Sequence, residues 1–447
     1  MRYGISGLRE ERNQSLDKWY PFLHKRDLVI SKPMHCGTRG GGILIYLTLT
    51  GWGVGMIQSF GGATALVSAL QHDAPVLALR RHILVQRARE TVRSFPGDVL
   101  YAVKCNAHPA VLQALYEGGV RQFDTASIAE IRLVRELLPE ARCHFMHPVK
   151  SRAAISEAYY EHGVRRFVVD HVSELEKLFA ICEGGFDLEV FVRLAVCGEG
   201  AVLSLEGKFG ASRDEALTLL RRVRATARSC GMTFHVGSQA LSPVAFVNAI
   251  RQAADIAARA GGLDHLDVGG GFPARYVGDE PDFSLFVEAI EVALAETGLE
   301  CSLQCEPGRM LVADGASVFA RVEMRRGRSL FINDGVYGNL AELKWVGPQF
   351  PMRLVRPGHE PRRGAASFDL FGPTCDSIDS MPGPHWLPED IVEGDWIEVG
   401  MMGAYSNSLG TDFNGMGRAL QVFLEDEAWY NLPMPATDDI VEQVRVA

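Results

Sequence analysis

The chain has 447 residues, of which 47% are hydrophobic and 22% charged, and its formal net charge is −10. A chain of this length exceeds one average domain, so two globular domains are expected, each with its own core. The acidic balance argues against a nucleic acid or an anionic membrane surface as a partner, because both attract clustered positive charge.

The first 56 residues are predicted to form a poorly ordered extension. An apolar run, Gly42–Ile57, lies in this segment but is interrupted by Gly51, Gly53 and Gly55. We therefore expect neither a membrane span nor a signal peptide here. The alternative interpretation is an upstream start, with Met56 as the natural first residue.

The nine cysteines are scattered along the chain and include no Cys-x-x-Cys pair. An odd, scattered set indicates reduced thiols in a cytoplasmic protein, and not a disulfide framework. The spacing typical of zinc ligands is missing as well, so no metal site is predicted.

Residues 85–315 alternate short apolar runs with amphipathic segments of helix length. Eight runs are predicted strands: Val99–Lys104, Gln122–Thr125, Cys143–His147, Arg166–Asp170, Glu189–Leu194, Thr233–Val236, His265–Val268 and Ser302–Glu306. Five of the intervening segments are predicted helices: Pro109–Tyr116, Ile128–Leu138, Glu174–Ile181, Arg213–Ser229 and Pro243–Ala260. This pattern predicts an α/β protein with a (β/α)8 TIM-type barrel, although a doubly wound open sheet alternates in the same way.

Chemically functional residues follow nearly every predicted strand, and this placement favours the barrel. They are Lys104, Asp124, His147, Asp170, Arg193, His235, the glycines at 269–271 and Glu306. Active sites of TIM-type barrels lie at the C-terminal ends of the strands. The site is therefore predicted at that face.

Residues 316–447 are predicted to form a C-terminal antiparallel β-domain. Their β-rich runs are Ser317–Met324, Ser329–Ile332, Arg353–Val355, Trp396–Val399 and Ala419–Phe423. Segments rich in Gly and Pro, among them Arg356–Gly358 and Met381–Pro384, are predicted turns between these runs. Residues 57–84 are assigned to the same domain, although their strand Pro75–Arg80 also suits the barrel.

Lys104 ends an apolar strand within Tyr101-Ala-Val-Lys-Cys-Asn106. A lysine at such a place is costly unless it is exposed, paired or used covalently. A desolvated amine with a lowered pKa is what Schiff-base chemistry requires. Taken alone, a solvated lysine at a strand end is the simpler interpretation.

Three further stretches carry groups that bind an anion or a flat ring. Asp267-Val-Gly-Gly-Gly-Phe-Pro273 is a glycine loop whose N–H groups suit a phosphate, although a tight turn also needs glycines. Glu306-Pro-Gly-Arg309 supplies an arginine for the phosphate and a carboxylate for a ring nitrogen, with a surface ion pair as the alternative. His235-Val-Gly-Ser238 adds a ring and a hydroxyl. Together with Lys104 on one barrel face, this set is what pyridoxal 5′-phosphate requires.

Eight short motifs occur along the chain in a characteristic order. They are Tyr101–Asn106, Phe234–Ser238, Asp267–Pro273, Glu306–Arg309, Asn333–Gly338, Phe371–Asp376, Met402–Tyr405 and Phe413–Gly415. With these motifs the chain resembles the alanine-racemase-like (fold type III) pyridoxal-phosphate decarboxylases, closest to the ornithine/lysine decarboxylase branch. The resemblance implies polyamine synthesis as the pathway.

The resemblance implies a role for each matching residue. Lys104 matches the lysine that holds the cofactor as a Schiff base, Glu306 the partner of the ring nitrogen, and His235 the residue that stacks on the ring. The matches to phosphate-binding positions are Ser238, Gly270, Gly271, Arg309 and Tyr405. Asp124 and Arg193 match positions that support the site near the ring.

The resemblance also implies a homodimer whose active sites are shared between the subunits. Cys375 and Asp376 match a loop that the partner subunit inserts into the site, and Tyr337 matches a substrate-binding position. Cys375 is then the candidate for protonating the product carbon, because a thiol can donate a proton near neutral pH. A buried structural cysteine is the alternative.

One position departs from the family pattern. Ornithine decarboxylases place an acidic residue, facing the distal ammonium of the substrate, where this chain has Val346; Glu342 is close in sequence but out of register. With one of two carboxylates lost the ammonium is poorly paired, although Asp376 remains. The predicted substrate is therefore a basic L-amino acid other than simply ornithine.

Three alternatives remain: a decarboxylase of another diamino acid such as diaminopimelate or diaminobutyrate, a racemase, and a non-catalytic regulatory paralogue. A racemase needs a second base, usually tyrosine, and the cysteine motif around Cys375 argues against it. Diaminopimelate-type relatives usually have Glu where Asp376 follows the cysteine. A regulatory paralogue has no need to retain Lys104, Glu306, Arg309 and Cys375 together.

Overall fold

A computed structural model describes the side chains of residues 57–70, 73–198, 200–205, 207–276, 278, 280–346, 350–358, 364–416 and 419–431, and the backbone of 34–36, 43–50 and 53–56. The chain divides into two compact units, residues 1–57 and 58–447. In the first unit, β1 (Met34–Cys36) and β2 (Ile43–Thr50) pair antiparallel. The prediction that residues 1–56 are poorly ordered stays a prediction, because their side chains lie outside the described residues.

The second unit contains a closed barrel of eight parallel strands, preceded by β3 (Gly53–Phe60), α1 (Ala63–Ala69), β4 (Val76–Leu79) and α2 (Arg81–Ser94). The barrel elements in chain order are β5 (Asp98–Ala102), α3 (Pro109–Glu117), β6 (Gln122–Thr125), α4 (Ile128–Leu137), β7 (Arg142–Phe145), α5 (Arg152–Tyr160), β8 (Arg166–Val169), α6 (Val172–Ile181), β9 (Glu189–Arg193), β10 (Ala201–Leu203), α7 (Arg213–Thr226), β11 (Ser229–Thr233), β12 (Ser238–Ala240), α8 (Val244–Ala260), β13 (His265–Asp267), α9 (Phe283–Thr297), β14 (Ser302–Cys305) and α10 (Arg309–Val312). β10 and β12 form a separate antiparallel ribbon, and β14 closes the barrel onto β5. The predicted barrel is confirmed.

Local sequence explains where the barrel helices begin and end. The Ser127 side chain accepts a hydrogen bond from the Glu130 backbone N–H at the start of α4, and Ser212 and Glu215 form a reciprocal capping box on α7. α8 and α9 both end at a glycine in the left-handed conformation, Gly261 (φ 91°) and Gly298 (φ 64°). These residue types satisfy the unpaired backbone groups at helix termini.

Seven of the barrel strands lie within two residues of their predicted bounds, but β11 does not. It runs over Ser229–Thr233, whereas the prediction was Thr233–Val236, and α7 ends at Thr226 instead of Ser229. Gly231 inside β11 obscured the strand pattern. A Cβ at Gly231 would lie 2.4 Å from the Phe191 ring, so the glycine makes room for that ring in the core.

The predicted C-terminal β-domain is present, but its sheet is mixed and not purely antiparallel. Its elements are β15 (Ala316–Arg326), β16 (Ser329–Ile332), α11 (Ala341–Trp345), β17 (Met352–Val355), β18 (Ala365–Phe371), β19 (Ser380–Pro388), β20 (Trp396–Val399) and β21 (Leu420–Leu424). β15 pairs antiparallel with β4, β16 and β20, so the early strand β4 joins this sheet. Most pairs are antiparallel, but β16 pairs parallel with β18, and β21 parallel with β4.

The predicted turn at Met381–Pro384 is wrong, because this segment lies inside β19. β19 pairs antiparallel with β18, and neither strand was predicted. Pro382 and Pro384 lack the N–H that a central strand needs, which is why the segment reads as a turn. The structure tolerates them because β19 lies at the end of the sheet order, where one row of backbone groups needs no strand partner.

Two features of the described residues bear on the environment of the protein. None of their helices is both long and apolar enough to cross a lipid bilayer. All eight cysteines with described side chains are free thiols, and Cys36 lies outside that set.

A buried arginine connects β4 to the rest of the sheet domain. The Arg80 guanidinium donates to Glu398 Oε1 at 3.0 Å, to Ser317 Oγ at 2.7 Å and to Asp426 Oδ1 at 2.9 Å. The side chains of Arg80 and Glu398 are both 0% exposed. Removing one partner of such a pair leaves an uncompensated buried charge.

We predict that Arg80→Ala lowers the free energy of unfolding by about 3–5 kcal/mol, because Glu398 then keeps, among the described residues, only Arg353 as a cationic partner. Urea denaturation followed by fluorescence measures the loss as a shift of the first transition. Arg81→Ala is the matched control: its partner is Glu117 on the surface, so its effect stays below about 1 kcal/mol. Equal effects of the two substitutions would contradict the role of the buried network.

Candidate active site

Lys104 lies in the turn Val103–Cys105 that follows β5, and its Nζ donates to Asp124 Oδ2 on β6 at 2.6 Å. The side chain of Lys104 is 41% exposed and that of Asp124 only 2%, so the amine lies on the open side of the site with the carboxylate behind it. Burial alone would lower the pKa of Lys104, but the charges of Asp124 and Glu306 outweigh it and raise the pKa. The chain's own carboxylates therefore stabilise the ammonium form of Lys104.

Two buried carboxyl groups lie next to this pair. Burial, then the charges of Asp124 and Asp267, raise the pKa of Glu306 well above its ordinary value. Burial likewise raises the pKa of Asp267 to about 6, although Asp267 accepts hydrogen bonds from the Gly269 N–H and from Gln304. Glu306 Oε1 is buried and has no hydrogen-bond partner among the described residues. An unpaired buried carboxyl oxygen is costly unless a ligand satisfies it.

The glycine loop after β13 approaches its neighbours too closely for side chains. A Cβ at Gly270 would lie 2.5 Å from the Glu306 carbonyl oxygen, and one at Gly271 would lie 2.4 Å from that of Gly237. Gly271 also has a φ of 105°, which favours glycine. The loop is held in place by hydrogen bonds from the Glu306 N–H to Gly269 O and from the Ala240 N–H to Gly271 O, both at 2.8 Å.

Arg309, the first residue of α10, lies beside this loop together with a hydroxyl and an aromatic ring. Its Nε donates to Ser238 Oγ at 3.3 Å, and its Cζ lies 5.0 Å from the centroid of the Tyr405 ring. The Tyr405 N–H donates to Cys105 O at 3.0 Å, which connects Tyr405 to the turn that carries Lys104. Burial is the main cause that raises the pKa of the Tyr405 hydroxyl, so this group stays a hydrogen-bond donor.

His235 and Arg193 lie on the same side of the barrel. The Gly237 N–H donates to His235 Nδ1 at 3.1 Å, so Nδ1 is an acceptor and the neutral ring carries its proton on Nε2. Burial and the charges of Lys104 and Arg193 lower the pKa of His235 to about 3, which keeps the ring neutral. Arg193 Cζ lies 5.6 Å from the centroid of the Phe209 ring.

Asp170 and His147, which follow two barrel strands, contact the loop between β10 and α7. Asp170 Oδ2 accepts a hydrogen bond from the Gly210 N–H at 3.0 Å, and the ring centroids of His147 and Phe209 are 5.2 Å apart. Both contacts involve the segment between β10 and α7. They fix its position relative to the ends of the barrel strands.

Tyr337, Asp376 and Cys375 lie together in the sheet domain. The Tyr337 hydroxyl donates to Asp376 Oδ2 at 2.6 Å, and the Cys375 N–H donates to Asn414 Oδ1 at 3.2 Å. Cys375 is exposed. No hydrogen bond or ion pair between described residues joins these three to Lys104 or Glu306.

The residues around Lys104 fit pyridoxal phosphate. The unpartnered Glu306 Oε1 suits a ring nitrogen, and a glycine loop without side chains is the kind of backbone that a phosphate can approach closely. The residues at or after the ends of barrel strands are Lys104, Asp124, His235, Ser238, Gly270, Gly271 and Glu306, whereas Arg309 begins α10 and Tyr405 comes from the sheet domain. The donor set is that of a phosphorylated pyridine aldehyde and not of a metal ion.

Three residues of the site were missed in the sequence. Glu342, on α11, pairs with Arg309 Nη1, and the same Nη1 donates to Tyr276 Oη at 2.8 Å. Asp267 was quoted within its motif, but its contact with Glu306 was not foreseen. Glu342 was noted only as out of register with a specificity position, because sequence spacing does not show which cation an acid meets.

Comparisons with known proteins agree with this geometry. A family model for the pyridoxal-dependent decarboxylase pyridoxal-binding domain matches residues 81–313, and one for the C-terminal sheet domain of the same enzymes matches residues 310–403. The lysine/ornithine decarboxylase of Selenomonas ruminantium is 31% identical over 361 residues, covering 78% of this chain and 89% of the relative.

Two further proteins extend the comparison. The diaminopimelate decarboxylase of Actinosynnema pretiosum is 30% identical over 394 residues, with 82% of this chain and 87% of the relative covered. The crystal structure of lysine/ornithine decarboxylase from Vibrio vulnificus, complexed with putrescine, superposes with a TM-score of 0.69 at 30% identity, covering 81% of this chain and 98% of that chain. From the fold, the site and these matches, the chain belongs to the family of pyridoxal-dependent amino-acid decarboxylases.

Proposed function

We propose that this protein removes the α-carboxylate of a basic L-amino acid, a diamino acid similar to ornithine, and releases the corresponding amine. The observation that carries the proposal is the position of the Lys104 amine beside Asp124 and near a buried Glu306 oxygen that lacks a partner. Pyridoxal phosphate, when bound, supplies the electron sink that accepts the electron pair left by the departing carboxylate. The residues of this chain supply binding, orientation and proton control.

Lys104 provides the amine that links to the cofactor, and Asp124 positions it. The neutral amine is the nucleophile. The 2.6 Å hydrogen bond to Asp124 fixes the position and the direction of the amine. The exposed side of Lys104 is the side from which a substrate amine approaches.

Glu306 controls the proton at the ring nitrogen. Its raised pKa, caused by burial and by neighbouring Asp124 and Asp267, keeps a proton available at the carboxyl group. Shared with a pyridine nitrogen, that proton makes a charge-assisted hydrogen bond and satisfies Oε1. Glu306 would hold the ring nitrogen by this hydrogen bond, and a protonated ring would be the stronger electron acceptor.

The opposite end of the site binds the phosphate. Ser238, Gly270, Gly271, Arg309 and Tyr405 supply hydroxyl, backbone and guanidinium donors within one region. His235, neutral through burial and its cationic neighbours, presents an uncharged ring to the face of the cofactor. Arg193 supports the site beside it.

We also propose that the second half of the site comes from a partner subunit in a homodimer. Tyr337, Asp376 and the exposed Cys375 form a group with no polar contact to Lys104 among the described residues of its own chain. The exposed Ile378 follows Asp376 by two residues, and the centroid of the exposed Phe413 ring lies 4.7 Å from that of Tyr337, which suits a surface that becomes covered. In this arrangement Cys375 donates the proton to the product carbon, and Asp376 binds the distal ammonium.

The uncharged residue at position 346 argues against a pure ornithine enzyme. Val346 caps α11 and carries no charge, and the nearest acid in sequence, Glu342, is already paired with Arg309. The positive charge of Lys344 lies close enough to Asp376 to contribute to its lowered pKa, after hydrogen bonds from Ile378 N–H and Tyr337. Asp376 is therefore the one proposed carboxylate for the distal group, and Lys344 weakens its attraction for a simple ammonium.

The relatives include lysine/ornithine and diaminopimelate decarboxylases, so they support a diamino acid substrate without selecting one. Diaminopimelate, whose distal end carries a carboxylate as well as an ammonium, is the second candidate, because Lys344 offers a cation near Asp376. A cytoplasmic location and a role in polyamine synthesis remain proposals that follow from the free thiols and from the ornithine-like substrate.

We predict that Lys104→Ala abolishes both the visible absorbance of lysine-linked pyridoxal and CO₂ release, because no other described amine lies beside Glu306. Absorbance spectroscopy of the purified protein, followed by CO₂ release over a panel of L-amino acids, measures both. Lys177→Ala, on the outer helix α6, is the control and keeps both signals. A wild-type protein without the absorbance would refute cofactor binding, and absorbance without CO₂ from any diamino acid would refute decarboxylation.

A shared site predicts complementation between two inactive variants. Lys104→Ala and Cys375→Ala each lower kcat, the latter by on the order of 10²–10⁴-fold because it loses a proton donor. Mixed and allowed to exchange subunits, they recover about one quarter of wild-type activity, because half of random dimers are hybrids with one intact site of two. Steady-state assays of the mixture, with size-exclusion chromatography for dimer formation, test this. If the mixture stays as inactive as its components, each site belongs to one chain.

We predict that Val346→Asp raises kcat/KM for ornithine by roughly tenfold or more, since a charged hydrogen bond is worth about 1.5–3 kcal/mol. The matched control is Val346→Asn, which has similar shape and no charge and gives a smaller change. The wild-type enzyme is compared on ornithine, lysine, 2,4-diaminobutyrate, arginine and diaminopimelate. A wild-type preference for ornithine by a large margin would contradict the interpretation of Val346.

A further inference from the structure

Arg309 forms a buried ion pair with Glu342 of its own chain. Its Nη1 pairs with Glu342 Oε2, and the two side chains are only 4% and 5% exposed. The same Nη1 donates to the Tyr276 hydroxyl at 2.8 Å, whereas Nε points to Ser238 Oγ at 3.3 Å. One edge of the guanidinium is therefore held by Glu342 and Tyr276, and the other edge is directed to the proposed phosphate site.

We propose that Glu342 is a built-in counter-anion of Arg309 that competes with the cofactor phosphate for the same guanidinium. The inference rests on the proposed function, since it takes Arg309 as a phosphate ligand. Glu342 acts through Arg309, so it is a positioning residue and not a catalytic one. It keeps the buried guanidinium paired and oriented at all times, and it lowers the affinity of the site for phosphate.

The charges explain both effects. A buried guanidinium without a counter-anion is strongly unfavourable, and Glu342 removes that penalty when no phosphate is present. The Arg309–Glu342 pair has no net charge, so a phosphate is attracted by Arg309 and repelled by Glu342 across the same group. Binding then depends on neutral donors, namely the glycine-loop N–H groups, Ser238 and Tyr405.

The field of Glu342 reaches other groups of the phosphate region. Burial is the largest cause that raises the pKa of Tyr405, and the Glu342 charge adds to it. Burial and Glu342 likewise raise the pKa of Tyr276, to about 12, against the opposing charge of Arg309. Because the charge of Glu342 acts on the hydroxyls of Tyr405 and Tyr276, it also acts on a phosphate bound beside them.

The test is Glu342→Gln, which removes the charge and keeps a hydrogen-bond acceptor for Arg309. Protein stripped of cofactor is titrated with pyridoxal phosphate, with pyridoxal, which lacks the phosphate, and with inorganic phosphate, by absorbance or thermal shift. We expect the Kd for pyridoxal phosphate to fall by about tenfold or more, since one repulsive charge is lost in a poorly solvated site. The Kd for pyridoxal stays unchanged, and the melting temperature of the stripped protein falls.

Tighter phosphate binding together with lower stability is a combination that a merely structural residue does not produce. Glu174→Gln is the matched control, because Glu174 is also a buried acid, paired with Lys150 at 3.1 Å on another side of the barrel. That control lowers the melting temperature and leaves all three affinities unchanged. An equal or weaker affinity of Glu342→Gln for pyridoxal phosphate would overturn the proposal.

A second comparison covers the case in which Glu342→Gln does not fold. Arg309→Gln is compared with Arg309→Gln/Glu342→Gln, where no buried cation loses its counter-anion. The double variant is expected to bind pyridoxal phosphate more tightly than the single one, and equal affinity would refute the competition. A wild-type protein that binds no pyridoxal phosphate at all would instead refute the proposed function, so the two failures are distinguishable.

Discussion

The hydrogen bond between the Lys104 ammonium and the buried Asp124 carboxylate is the interaction on which the site depends. It holds one cation at the open side of the barrel against a group of three buried acids, Asp124, Glu306 and Asp267. Without that cation the three carboxyl groups would repel one another in a region that water stabilises poorly. Lys104 therefore stabilises the same carboxyl groups that position its amine and raise its pKa.

The barrel places opposite charges at the two ends of one binding region. The acids at the ends of β6, β13 and β14 surround Lys104, whereas Arg309 and the glycine loop define the end that suits an anion. A ligand with a basic nitrogen at one end and a phosphate at the other has only one orientation that satisfies both ends. Glu342 partly neutralises the positive charge of Arg309 at the phosphate end. The orientation of the ligand therefore depends on geometry and on neutral donors as much as on charge.

Hydrophobic periodicity was sufficient to predict most of the fold, because burial in a barrel strand requires short apolar runs bounded by helices. It failed where a residue served a particular neighbour. Gly231 weakened the apparent strand at β11 because its missing side chain accommodates Phe191. The prolines of β19 resembled a turn, and only the position of that strand at the sheet edge makes them compatible with pairing.

The sequence by itself determined which chemical groups the site contains and that they follow the barrel strands, since strand order and strand-end residues can both be read along the chain. The tertiary structure alone decided which groups are partners. The ion pairs of Lys104 with Asp124 and of Arg309 with Glu342 join residues 20 and 33 positions apart, on different elements. It also decided protonation: the pKa of a buried group depends on its distance to other charges and on its distance from water, and neither quantity is encoded by spacing along the chain.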